Sequence, residues 1–73
     1  MTQDITAPLA GKIVRLSMEV GMKVEEDDEA LVIEAMKMET PVFIPCNGTI
    51  TAVKVKAGDT VEEDDVLGVV EEA

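Results

Sequence analysis

Shifted by 37 positions, the chain falls on itself without a gap from residue 8 to the C-terminus. Pro8-Leu9-Ala10-Gly11 lands on Pro45-Cys46-Asn47-Gly48, and identities continue at Ile13/Ile50, Gly21/Gly58, Val24/Val61, Val32/Val69 and Glu34/Glu71. The run Glu25-Glu26-Asp27-Asp28 repeats whole as Glu62-Glu63-Asp64-Asp65. A unit spanning 8–36 that recurs at 45–73 is too short to bury a core by itself. Each copy must therefore cover the apolar face of the other, in a pseudo-twofold arrangement within a single domain, residues 1–73.

Both copies read as short strands separated by turns, with a Pro-x-x-Gly opening, a strand near 12–18 or 49–55, a glycine turn at 21 or 58, an acidic turn and a second strand. Leu16/Met18 and Val53/Val55 alternate, whereas Ile13 and Ile50 fall on the opposite parity. One residue of slip exchanges the two faces of a strand, so the repeated phase change predicts a bulge or a crossing between two sheets. The expected fold class is all-β: a flattened barrel or sandwich of two antiparallel sheets with pseudo-twofold symmetry. Between the copies, apolar runs 30–33 and 42–44 flank Glu34-Ala35-Met36-Lys37-Met38-Glu39, which predicts a hairpin near 34–39 with Met36 and Lys37 in its turn. Pro41, unable to donate to a ladder, is expected at an edge.

Composition narrows the function. Sixteen acids against six Lys or Arg give a formal charge of −10, which would repel nucleic acid and anionic membrane alike, so protein partners are expected. Histidine is absent and Cys46 is the single cysteine. Acid–base or metal catalysis therefore lacks its commonest residues, and no internal disulfide can form. With no leader or long apolar run, membrane insertion is not expected and a cytoplasmic location is.

Lys37 is the only basic residue between Lys23 and Lys54. An arbitrary lysine at a hairpin tip is simply a solvated side chain. Here, however, Glu34-Ala35-Met36-Lys37-Met38, placed midway between two similar halves, resembles the attachment motif of the biotinyl domains of biotin-dependent carboxylases, decarboxylases and transcarboxylases. The resemblance spans essentially the whole chain, including Ala7-Pro8-Leu9-Ala10-Gly11, Pro45 and Gly48. It implies covalent biotin on Lys37 and a non-catalytic role: carrying carboxybiotin between biotin carboxylase and carboxyltransferase or decarboxylase active sites. It implies biotin protein ligase as a further partner, because a lysine amine is largely protonated at neutral pH and needs an activated carboxyl group brought to it.

By residue type alone Met36 and Met38 would pack at the base of the hairpin. In the resembled motif they and Ala35 flank the modified lysine as supporting residues. Glu34 and Glu39 read as a solvated rim. Many members of that family have Gly where this chain has Asp27 and Asp64; Asp tolerates positive φ, so the turns are expected to form with some strain. If residues 29–35 make one strand, the turn at 25–28 lies roughly 20 Å from Lys37 at about 3.3 Å per residue. The repeat then puts Glu62 to Asp65 at the lysine's end and both chain termini opposite. Cys46, with no base beside it, reads as an idle thiol. Two other readings are a lipoyl carrier, disfavoured by the Met-Lys-Met setting, and an unmodified interaction module of the same hybrid fold.

Overall fold

Val, Ile and Thr are concentrated where the chain is extended, and the strands are punctuated by residues that accept positive φ. The computed structural model describes residues 1–73 and contains eight strands and no helix. They are β1 (Thr2–Thr6), β2 (Gly11–Leu16), β3 (Lys23–Val24), β4 (Glu29–Ala35), β5 (Met38–Phe43), β6 (Gly48–Val53), β7 (Thr60–Val61) and β8 (Val66–Glu72). Two four-stranded sheets result, ordered β1-β8-β6-β3 and β5-β4-β2-β7, with every pairing antiparallel. Exchanging β1 to β4 for β5 to β8 turns one order into the other. In each sheet the central pair comes from one half and both edges from the other. Neither half can complete a sheet without its companion.

The phase change at Ile13 and Ile50 is a bulge. On β2 the register slips between Ile13 and Arg15, opposite Ile33 and Val32; on β6 it slips between Ile50 and Ala52, opposite Val70 and Val69. The slips lie 37 residues apart. They turn Ile13 and Ile50 into the space between the sheets, where they are 0% and 1% exposed. Strands β2 and β6 stop two residues short of the expected 18 and 55, because the chain leaves the ladder there: Met18 turns inward and is buried. A second matched pair of bulges lies between β4 and β5 and between β1 and β8. Structural equivalence thus reaches residues 2–6 and 39–43, beyond the identities readable in the sequence.

The core is aliphatic, with Ile5, Ile13, Met18, Leu31, Ile33, Ile44, Ile50, Leu67 and Val70 all below 2% exposed. No polar or charged residue is buried with them. The acidic run has a local structural task. In each copy the last residue, Asp28 or Asp65, accepts a hydrogen bond on Oδ2 from the N–H of Glu25 or Glu62, at 2.9 and 2.8 Å. The third residue, Asp27 or Asp64, takes φ of 72° or 70°, the region where a Cβ crowds the following carbonyl. Asp27→Gly and Asp64→Gly are each expected to stabilise the domain by about 0.5–1 kcal/mol. Distant turns should add. Urea unfolding of both single variants and the double variant checks this; midpoints at or below the parent's would show the turns to be unstrained.

Candidate modification site at the central hairpin

Strand β4 is buried along Ala30 to Ile33, and its last two residues emerge from the core at the hairpin end. Glu34 pairs with Glu39 and Ala35 with Met38, which leaves Met36 and Lys37 as a two-residue loop. Their φ values are 52° and 64°. Positive φ at both central positions is the requirement of a type I′ turn, whose twist matches that of the flanking strands. Asn-Gly is the usual choice there. A methionine and a lysine in these positions cost backbone energy, of about 1 kcal/mol each.

Lys37 is exposed and takes part in no hydrogen bond or ion pair; the one ion pair of the chain joins Arg15 to Glu29. Its amine stands free at the apex. Met36 is 95% exposed and Met38 70%. The packing at the hairpin base expected from residue type is therefore corrected: Met36 sits in the two-residue turn and Met38 opens β5 opposite Ala35, so both side chains lie beyond the last core layer. Ala35 is half-buried, while Glu34 and Glu39 are exposed directly across from each other.

Two neighbours of the hairpin escaped the sequence reading. Lys12 pairs with Glu34 on one side and with Thr60 on the other, so a row Glu39, Glu34, Lys12, Thr60 crosses the sheet just below the tip. Gly11 lets β2 lie against β4: a Cβ there would come within 2.5 Å of Ile33 Cγ2 and 2.6 Å of the Glu34 carbonyl oxygen. The glycine of Pro-x-x-Gly was its only visible signal.

The register also orders the two ends of the molecule. Gly11 pairs with Val61, so β7 delivers Glu62 to Asp65 to the hairpin end. At the other end the Glu72 N–H donates to Met1 O at 2.8 Å, and the Ala73 N–H to Asn47 O at 3.0 Å. The Glu26 N–H donates to Asn47 Oδ1 at 2.7 Å, which brings the first acidic turn beside the termini. The termini thus take the place that the lysine turn holds in the other sheet, along a long axis of 35 Å.

No pocket opens beside the tip, and no group of three or more His, Cys, Asp or Glu is arranged to hold a metal ion. The profile of the family described as biotin-requiring enzyme matches residues 3–70. The chain belongs to that family. It is a biotinyl-type domain, 44% identical over 43 residues to methylcrotonoyl-CoA carboxylase subunit alpha, mitochondrial, of Oryza sativa subsp. japonica, a match covering 59% of this chain and 6% of that one. It is also 44% identical over 43 residues to the biotin carboxyl carrier protein of acetyl-CoA carboxylase of Solanum lycopersicum, covering 59% of this chain and 61% of the relative. Among solved structures, Kluyveromyces lactis urea carboxylase superposes with a TM-score of 0.89 and 30% identity over 97% of this chain and 6% of that one. The biotinyl-type domain therefore spans less than two thirds of each of these proteins.

Cys46 lies at the opposite end from the hairpin, next to Asn47 and the C-terminal strand. Partial burial pushes its thiol up, and the carboxylates of Glu72 and Glu26 push it further. A raised thiol holds its proton to higher pH, so less thiolate is present at any given pH. Alkylation by iodoacetamide at pH 8 is expected to be slower than that of free cysteine, with a rate still climbing above pH 9. A rate profile that levels off at or below that of free cysteine would contradict it.

Proposed function

We propose that this biotinyl-type domain is a biotin carrier in which Lys37 Nζ holds the cofactor in amide linkage. The observation that carries the reading is an unpartnered amine at the apex of a two-residue hairpin, in a family that requires biotin. A ligase would present biotin with its carboxyl group activated. The Nζ–C bond forms, the bond to the activating group breaks, and the amine gives up its proton. The side chain thereby loses its positive charge. When bound, biotin supplies a ring nitrogen that takes up a carboxyl group and later gives it up.

The chain's own residues position and present. The type I′ turn fixes the direction in which the Lys37 stem leaves the sheet, and the buried β4 strand holds that turn rigidly. Met36, Met38 and Ala35 flank the amine as the surface a ligase meets. Glu34 and Glu39 form a solvated rim below the turn, and catalysis is assigned to the partners: biotin protein ligase, then biotin carboxylase and a carboxyltransferase or decarboxylase. The biotin enzymes among the relatives favour this reading over a lipoyl carrier, and so do the methionines beside the lysine.

Intact-mass measurement of the protein produced with an active biotin protein ligase and an active lipoyl ligase tests the proposal. The expected result is one biotinyl adduct per chain, mapped to Lys37. A lipoyl adduct would give the site to the alternative carrier class, and no adduct would make the domain an unmodified interaction module.

A further inference from the structure

Thioether sulfur is soft and readily oxidised, and what oxidation does depends on where the fold puts the sulfur. The methionines of this chain divide between interior and surface. Met18 is 1% exposed, with its Sδ and Cε lying over Gly68 in the core, and Met22 is half-buried against the same core. Met1, Met36 and Met38 are exposed. Met1 stands at the terminal end, where the 37-residue offset makes it the counterpart of Met38. The other two lie on either side of Lys37, at 95% and 70% exposure.

Neither of those two holds the fold together. Met36 has the left-handed backbone of the turn, and Met38 pairs with Ala35 beyond the last core layer. An oxygen added to either sulfur therefore meets solvent and leaves the packed sheets untouched, whereas the same oxygen on Met18 would be forced into the core. What changes is the surface around the amine. Flexible apolar thioethers become polar, chiral sulfoxides, and a sulfoxide oxygen pressed against a partner that offers it no hydrogen-bond donor opposes the contact.

We propose that Met36 and Met38 are a peroxide-sensitive modification site that controls the charging of Lys37: their sulfoxides obstruct biotin transfer to the amine, and reduction of the sulfoxides restores it. The thioether sulfur attacks one oxygen of hydrogen peroxide. The S–O bond forms, the O–O bond breaks, and the proton of the transferred hydroxyl leaves with the departing hydroxide as water. Sulfur is oxidised and the peroxide reduced, a pair of electrons passing between them. A methionine sulfoxide reductase reverses the change, removing the oxygen as water while a pair of its thiols becomes a disulfide. The inference rests on the carrier reading above, because it concerns the same amine. The two are separable: transfer to the untreated chain reports on Lys37, and the difference between untreated and oxidised chain reports on the methionines.

In the test, the unbiotinylated chain is treated with hydrogen peroxide, oxidation of each methionine is followed by peptide mass, and biotin transfer by biotin protein ligase is timed before and after. Met36 and Met38 are expected to oxidise far ahead of Met18, which reacts only when the core opens. The oxidised chain should keep the parent's urea midpoint while kcat/KM for biotin transfer falls about tenfold, the effect of an unpaired polar atom at the contact. Treatment with methionine sulfoxide reductases for both sulfoxide epimers should restore the rate. In the double variant Met36→Leu/Met38→Leu, whatever its starting rate, peroxide should no longer alter transfer. Equal transfer before and after oxidation overturns the inference alone, and no transfer to the untreated chain overturns the carrier reading together with it. A lowered urea midpoint, or a loss of transfer that survives reduction or recurs in the double variant, would place the damage elsewhere, Cys46 included, and also overturns it.

Discussion

Lys37→Gly is expected to yield a domain more stable than the parent by about 1 kcal/mol that takes up no biotin. The φ of 64° at Lys37 is the left-handed conformation that a type I′ turn demands. A side chain with a Cβ pays for it, whereas glycine adopts it without steric cost. Nothing offsets the strain, since Lys37 makes no hydrogen bond, ion pair or buried contact. Under the proposed function this backbone cost is borne at the attachment residue itself. For a domain of this size about 1 kcal/mol raises the thermal midpoint by about 4–8 °C. Lys37→Arg separates the two effects: it keeps the Cβ and the charge, so its midpoint should match the parent's while the adduct is still lost. A Lys37→Gly midpoint at or below that of Lys37→Arg would show the turn to be unstrained. An adduct surviving in either variant would move the attachment site to another lysine.

Gly48→Ala is expected to cost about 3 kcal/mol, the upper range for forcing an extra carbon into a packed site. Its Cβ would lie 2.0 Å from the carbonyl oxygen of Glu71 and 2.8 Å from the carbonyl carbon. Those atoms belong to β8, an inner strand of its sheet, so relief means moving backbone rather than rotating a side chain. A chain of 73 residues has a total stability of about 4–11 kcal/mol. One methyl group is therefore expected to remove a large part of it. Urea denaturation should show a markedly lower midpoint with an unchanged slope. A midpoint within experimental error of the parent's would mean that β6 and β8 can separate at no cost, contrary to the close approach of Gly48 to Glu71. Gly11 is the pseudo-equivalent position, and Gly11→Ala is expected to destabilise for the same reason, next to the lysine hairpin instead of the termini.

The two glycines show where reading the chain succeeds and where it stops. Their repetition at an offset of 37 was visible at once, but the carbonyl that excludes a Cβ belongs to a strand 23 residues away in each case. The hairpin itself was legible, because apolar runs on either side of the junction mark two strands that can pair across it. The bulges at Ile13 and Ile50 were legible as a parity break shared by both copies. The edge strands β1 and β5 were not recognised as equivalents, since Thr2–Thr6 and Glu39–Phe43 share no identical residue. Edge strands pair through the backbone on one side only, and pairing of that kind does not require the two copies to share side chains. Methionine is ordinarily core-filling, and Met36 and Met38 stand clear of the core only because the turn and the first residue of β5 lie beyond its last layer.

Local physical chemistry therefore settles the repeat, the strand and turn alternation, the two-sheet class and the lysine at the junction, because each depends on periodicity or turn preference within a few residues. What required three dimensions was the mutual arrangement. Edge strands from one half flank the central pair of the other, and Lys12 and Gly11 sit beneath the hairpin. The row from Glu39 to Thr60 exists only when β5, β4, β2 and β7 lie side by side, and pairing across distant segments is the property that no local stretch of chain contains.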